Sequence, residues 1–468
     1  MSTDLHFLTI AEAAGRIRAG TLSPVALTEA YLDRIAALDG TLHAYIRVLA
    51  PEALAEARQA EAEIAAGGWK GPLHGIPLGI KDIYNTAGIA TTGHSALFRD
   101  HVPAEDATTV RLLRAAGAIV LGKLSTFEFA IGGPSFDLPW PPARNPWNLD
   151  RQPGGSSSGS GTAVAAGLCA GAMGSDTGGS IRYPAAWCGI AGHKPTYGLV
   201  SRKGVLPLAY SLDHAGPMCW TSEDCALMMQ VLAAHDPADP ASADVPVPDF
   251  AAALSGDLSG LRVGLVRHFY EKDAPSGAET IAALEQAVAL LSSLGAKVAD
   301  ITIASRAAYT DLCMLIMEAE AFAIHERHLT ATPELYGALA RRWIMSGAMV
   351  PASAYINAQR LRAKLTAELV ARMQDVDVLL MPTWGEPASE FGEAASLRLD
   401  VAFTMPFNVT GSPALSVCSG FSSDGLPLSM QIVGRHFEDA TVLKVGDAFE
   451  KAAGLRDHRP AVPLARAA

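Results

Sequence analysis

The chain has 468 residues, 49% apolar and 18% charged, a balance that excludes a disordered chain and supplies ample material for a packed interior. Its net charge of −12 and pI near 5.5, with no run rich in Lys or Arg, argue against a nucleic-acid-binding surface. No apolar run is long enough to cross a bilayer, the polar opening Met1–His6 is unlike a secretory signal, and the six cysteines form no C-x-x-C pair; a reducing, cytoplasmic setting away from membranes is expected.

Thr9-Ile10-Ala11-Glu12 has the capping-box pattern and predicts a helix start. Ser23-Pro24 predicts a second, with an N-cap and Pro at the first helical position, ending at Asp39-Gly40. A third is predicted over Pro51–Ala66, so residues 1–70 read as a mostly helical segment. Ile76, Leu78 and Ile80 then alternate and predict a strand, whose other face carries Gly75, Pro77, Gly79 and Lys81. That lysine is open to two readings: an approachable, desolvated amine among small residues, or a strand-end ammonium in water. Asp106 is expected to cap a helix ending near Gly117, followed by a strand at Ala118–Leu121. The run Gly117–Lys123 nearly fits a phosphate-binding loop, but Leu124 stands where Ser or Thr would hold Mg²⁺ and the run reads as strand, which rules that motif out. Residues 132–153 form a loop rich in Gly, Pro and Trp, whose rings either wall a pocket or pack on the surface.

The stretch Pro153–Arg182 organises the rest. It opens with the Gly/Ser run 154–161, continues in an Ala-rich run read as helical from Thr162 to Met173, and closes with Asp176-Thr177-Gly178-Gly179-Ser180-Ile181-Arg182. Glycine-flanked turns leave backbone N–H groups uncovered, and successive uncovered N–H groups make a nest for an anion. A serine in such a nest is placed to attack a carbonyl while the N–H groups receive the oxyanion. Beyond it, residues 236–260 read as a surface linker. Strands are predicted at Leu261–Val266, Lys297–Ile303, Asp377–Met381, Ala414–Cys418 and Leu428–Val433. Helices are predicted across 281–291, across 305–373 with breaks near Pro333 and Pro351, and over Asp439–Ala453. Strands alternating with helices from end to end imply an α/β fold, a helix–sheet–helix sandwich.

Gly155-Ser156-Ser157-Ser158-Gly159 fits G-x-S-x-G, but residues 145–153 do not resemble the strand that pentapeptide needs before it. Among 13 histidines, His74, His193 and His214 lie nearest the glycine motifs and read as hydrogen-bonded structural residues; His325 and His328 lack a metal-site framework. Cys169 and Cys188 read as packed thiols.

The segment Gly154–Gly198 strongly resembles the defining motif of the amidase signature family of hydrolases. The resemblance extends over Leu73-His74-Gly75-Ile76-Pro77, Ile80-Lys81-Asp82, Arg144-Asn145-Pro146-Trp147, Lys194-Pro195-Thr196-Tyr197-Gly198, Pro406-Phe407-Asn408 and Gln431-Ile432-Val433-Gly434, essentially the whole chain. It implies a single domain over 1–468, an α/β/α sandwich around a central mixed sheet, with the catalytic core at 73–220 and the rest of the sandwich and the substrate-pocket helices at 261–468. It implies a Ser–Ser–Lys triad: Ser180 as nucleophile, Ser156 as the bridging serine, Lys81 as base. The oxyanion hole falls on the N–H groups of Thr177, Gly178, Gly179 and Ser180, with Ser157, Asp176 and Arg182 in support, and neither cofactor nor metal is implied. Ser158 stands where the family usually has Gly, and His193 where it has an apolar residue.

The function expected on this basis is a free-standing amidohydrolase that cleaves a small-molecule amide (aryl, aliphatic or ureido) through an acyl-serine, as a homodimer and without nucleic acid. Ala130, Ile131 and Gly132 are expected along the acyl pocket, with Trp140, Trp187, Trp343, Trp384 and Phe403 as candidate walls. The alternative in the same family is the glutaminase subunit of the tRNA-dependent amidotransferase. That subunit normally carries Asp-Gly-Val-Arg-Tyr-Gly and Phe-Gly-x-Glu-Val-Lys-Arg-Arg segments; here the stretch matching the latter reads Leu335-Tyr336-Gly337-Ala338-Leu339-Ala340-Arg341-Arg342-Trp343.

Overall fold

In the computed structural model, residues 5–392 and 402–462 are described; residues 1–4 of the polar opening lie outside that range. The capping box is formed on both sides: Glu12 N–H donates to Thr9 Oγ1, and Thr9 N–H to Glu12 Oε2, opening the helix Ile10–Arg18. Ser23 Oγ accepts from the N–H groups of Val25 and Ala26 and starts Pro24–Leu42, which runs past Gly40 and ends at His43 in a left-handed conformation. Asp106 does not cap the helix Thr108–Ala115. Its carboxylate instead accepts from Ala87 N–H and from the Arg114 guanidinium, tying a preceding loop to the helix.

The strands are β1 (Tyr45–Val48), β2 (Pro77–Lys81), β3 (Ile119–Leu124), β4 (Gly171–Asp176), β5 (Ala191–Lys194), β6 (His214–Cys219), β7 (Arg262–Leu265), β8 (Lys297–Asp300), β9 (Val378–Pro382), β10 (Ala414–Phe421) and β11 (Pro427–Gly434). They form one sheet in the order β1-β3-β2-β4-β6-β5-β10-β11-β9-β7-β8. The sheet is mixed: β2 runs parallel to β3 and β4, and β7 to β8 and β9, while β4–β6, β6–β5, β5–β10, β10–β11 and β11–β9 are antiparallel. Every residue of β2, β3, β4, β6, β9 and β11 is buried, so helices cover both faces, as an α/β/α sandwich requires.

The Ala-rich run after the Gly/Ser stretch departs from its predicted course. The helix covers Ser158–Ala165, and the chain then turns into β4 at Gly171. The two serine turns are therefore separated by a helix and a strand. A Cβ on Gly159 would stand 2.4 Å from Ala44 O and 2.5 Å from Ser125 N, so only glycine lets this helix press onto the end of β3.

Candidate active site

β2 and β4 lie side by side and parallel, and both deliver chemistry at their C-terminal ends: Lys81 closes β2 and Asp176 closes β4. Loops leaving parallel strands at that edge converge on a common crevice. The 153–158 turn, returning ahead of its helix, brings its serines into the same crevice.

Lys81 is fully buried, and the strand-end reading of an ammonium in water does not hold. Its Nζ lies 2.7 Å from Ser156 Oγ, 2.9 Å from Ser157 Oγ and 2.8 Å from Ser175 Oγ. Burial lowers its pKa to about 7, against the opposing pull of Asp176 and Asp213. A neutral amine has two N–H donors and one lone pair. Ser157 Oγ donates to Ser175 O at 3.3 Å and accepts Ser175 N–H at 3.2 Å. Its proton is thus engaged, and toward Lys81 it acts as acceptor. Of the other two hydroxyls, Ser156 and Ser175, only Ser156 also lines the cavity that holds Ser180. Ser175 lies inside the segment Gly154–Gly198 but is assigned no role there; the signal available is its place one residue before Asp176, on the strand beside Lys81.

The turn 177–180 is held from below by a buried ion pair. Arg182 Nη2 donates to Asp176 Oδ1 and Arg182 Nε to Asp176 Oδ2, each at 2.9 Å. Asn408 Nδ2 adds a bond to Asp176 Oδ1 at 2.8 Å, and Arg182 reaches Thr404 O and Gln431 Oε1. Burial pushes the Asp176 carboxyl up, but Arg182 and Asn408 outweigh it and hold it well below the usual carboxylate range. Gly179 has φ +138°, and a Cβ there would strike the Thr404 hydroxyl, which itself donates to Gly178 O at 2.6 Å.

Ser156, Thr177, Gly178, Gly179 and Ser180 line one cavity of about 110 Å³. Ala130, Ile131 and Gly132 form part of its wall, as do Trp343 and Trp384. Met314, Met317 and Met405, not anticipated from the sequence, complete the apolar side. Three candidate walls lie elsewhere. Trp187 packs edge-on behind Trp384 and Tyr183 and donates its N–H to Glu386 O. Phe403 is buried against Phe269, and Trp140 packs edge-on against His94. His193 is buried with Asp439 Oδ1 at 3.0 Å, and His325 contacts the Tyr336 hydroxyl, so both are structural.

A buried amine thus bonds to Ser156, and Ser156, Ser180 and the turn 177–180 share one cavity. The Amidase family model matches residues 26–443. The chain belongs to the amidase family. The peptide amidase from Stenotrophomonas maltophilia superposes with a TM-score of 0.86 at 32% identity, over 97% of this chain and 98% of that one. The glutamyl-tRNA(Gln) amidotransferase subunit from Thermotoga maritima superposes with a TM-score of 0.82 at 33% identity, over 99% of both chains. Among curated relatives, the corresponding glutamyl-tRNA(Gln) amidotransferase subunit of Roseiflexus castenholzii is 40% identical over 98% of this amidase-family chain and 99% of its own.

That identity overturns the expectation of a free-standing small-molecule amidohydrolase acting as a homodimer without nucleic acid. That expectation rests on short departures from the subunit's usual segments, such as Leu335–Trp343, and on the net charge. A nine-residue segment is a local feature, whereas the likeness to an amidotransferase component named for a tRNA substrate runs the length of both chains. Net charge is a sum over one chain and says nothing of the surfaces that other subunits contribute. Among the described residues, no helix is long and apolar enough to cross a membrane.

Proposed function

We propose that this chain is the amide-cleaving subunit of a glutamyl-tRNA(Gln) amidotransferase, hydrolysing the side-chain amide of glutamine and releasing ammonia for transfer by partner subunits. The observation that carries the reading is the 40% identity spread across both whole chains. The geometry around Lys81 supports the chemistry. Neutral Lys81 takes the proton of Ser156 as Ser156 takes that of Ser180. Ser180 Oγ attacks the amide carbon, and the oxyanion forms among the N–H groups of residues 177–180. Ser156 returns a proton to the leaving nitrogen, the C–N bond breaks and ammonia departs. Water then attacks the acyl-serine and releases glutamate. Losing one oxyanion donor typically costs about 3–4 kcal/mol of transition-state stabilisation.

The apolar wall of Met and Trp side chains suits the methylene stem of glutamine. Among the described lining residues none is charged, so the charged head of the amino acid finds no ionic partner on that wall. The test is ammonia release from glutamine by the chain co-expressed with partner subunits, beside Ser180→Ala. Turnover lost in the variant, together with recovery of a stable complex, is expected. A wild-type complex that leaves glutamine intact would sink the proposal.

A further inference from the structure

Asp213 lies at the head of β6, where the β4–β6 ladder sets Asp176 opposite His214 and so brings Asp213 beside Thr177. Thr177 Oγ1 donates to Asp213 Oδ1 at 2.6 Å. The same carboxylate accepts Leu208 N–H at 2.9 Å and Ala209 N–H at 3.1 Å. It therefore ties the turn that carries the N–H nest to the 204–213 loop. It also borders a second cavity of about 740 Å³, which shares Ala130, Thr177 and Leu208 with the cavity of Ser180. A carboxylate accepting from a hydroxyl and two backbone donors fixes all of them, because charge-assisted bonds are about twice as strong as neutral ones.

We propose that Asp213 is a positioning residue of the amide-cleaving reaction: its carboxylate clamps Thr177, and with it the oxyanion turn. A secondary consequence is electrostatic, since the Asp213 anion, after Asp176, favours the protonated form of Lys81. The charges that act on Lys81 are those of Asp176 at the end of β4 and Asp213 at the head of β6. Asp82, next along the chain, turns away, with Lys123 at 3.4 Å and a bond from Thr92. Facing Asp213 are Arg202, Thr177 and the phenol of Tyr84. The adjacent His214 ring donates from Nδ1 to Leu212 O and stays neutral, burial and Lys194 holding its pKa well below the usual value. Burial raises the Asp213 carboxyl to about 6, still ionised where Lys81 must work.

The inference rests on the serine–lysine reading of the site, so its test avoids any particular amide. The rate of Ser180 modification by a fluorophosphonate is measured against pH, with thermal unfolding of each variant recorded alongside. In Asp213→Asn the amide sets an N–H₂ group against the Leu208 and Ala209 donors and removes the charge. Its plateau rate is expected to fall about tenfold or more, a typical result of misplacing a reacting geometry. Its acid limb is expected to move to lower pH by on the order of half a unit, as a Lys81 relieved of one anion loses its proton more readily. Thr177→Val lowers the plateau without moving the limb, and Thr177→Ser recovers most of the rate that Val loses. An Asp213→Asn plateau and limb equal to wild type overturn the inference. So does Thr177→Ser as slow as Thr177→Val, which tests the clamp even if Asp213→Asn does not fold. Wild type that never reacts, by contrast, overturns the serine–lysine reading itself.

Discussion

Two lysines end up buried on neighbouring strands, and their surroundings part them. Lys123 on β3 has Asp82 at 3.4 Å and donates to Tyr84 O; burial lowers its pKa to about 8 against that ion pair. Lys81 contacts three neutral hydroxyls and falls to about 7. A base must be neutral to accept a proton, so kcat/KM for amide cleavage is expected to rise from the acid side through about pH 7 and level off above it. A pH–rate profile checks this, and a flat or falling profile between pH 6 and 8 (roughly one unit either side of that pKa) would remove Lys81 as base. Lys81→Arg should cost at least about 10²-fold in kcat, because guanidinium keeps its proton. The Asp176–Arg182 pair sets a stability prediction. Both side chains are fully buried, so Arg182→Ala leaves an unpaired anion and should cost about 3–5 kcal/mol in urea unfolding. The folded carboxyl of Asp176 is depressed, so its contribution is present above the ordinary Asp pKa of about 4 and is lost as pH falls toward the folded value. A loss under about 1 kcal/mol would mean that Asp176 takes up a proton or reaches water in the variant.

Elements near the site show what sequence pattern can and cannot carry. Capping chemistry was legible: Thr9 and Ser23 start helices where predicted, and Asp439–Ala453 is a helix with the predicted limits. Thr9→Ala should cost about 0.5–2 kcal/mol by thermal or urea unfolding, since it removes the acceptor for Glu12 N–H. The strands that build the site were harder. β4 reads Gly-Ala-Met-Gly-Ser-Asp, with few branched apolar residues, and its small side chains mimic an Ala-rich helix. What makes it a strand is its partners, β2 on one side and β6 on the other, which local sequence does not record. The serines, glycines and Lys81 could be named from their motif. Ser175 and Asp213 could not, because their part depends on which strand lies next to which. The turn 177–180 is the element most dependent on one residue type. Gly179 combines φ +138° with Thr404 against its Cα, so Gly179→Ala is expected to drop kcat by about 10²–10³ with a smaller effect on KM. An alanine variant with wild-type kcat would show that the turn is not the oxyanion site.

At the scale of the whole molecule, the net charge of −12 and the likeness to an amidotransferase component named for a tRNA substrate pull in opposite directions. Both hold if the assembly binds tRNA through surfaces that this chain does not supply. Phosphate contacts rest on clustered Lys and Arg, and here 36 basic residues face 48 acidic ones, with no basic run. Several of the basic residues are also committed inward: Lys81, Lys123, Arg182 and Lys194 are fully buried. Others are held by carboxylates at the surface, Arg267 by Glu271, Glu285 and Asp300 together. The isolated chain is therefore expected to bind tRNA weakly at about 150 mM salt, where exposed charges are screened within about 8 Å. If the proposed function holds, a complex with the proposed partner subunits should bind tightly under the same conditions. Electrophoretic mobility shift with the chain alone, the complex, and the complex carrying Ser180→Ala would decide it. Tight, steeply salt-dependent binding by the chain alone would show that it bears a phosphate-binding surface of its own. Binding by the complex that survives Ser180→Ala would separate tRNA recognition from the chemistry at the serine, as expected if the two lie on different subunits.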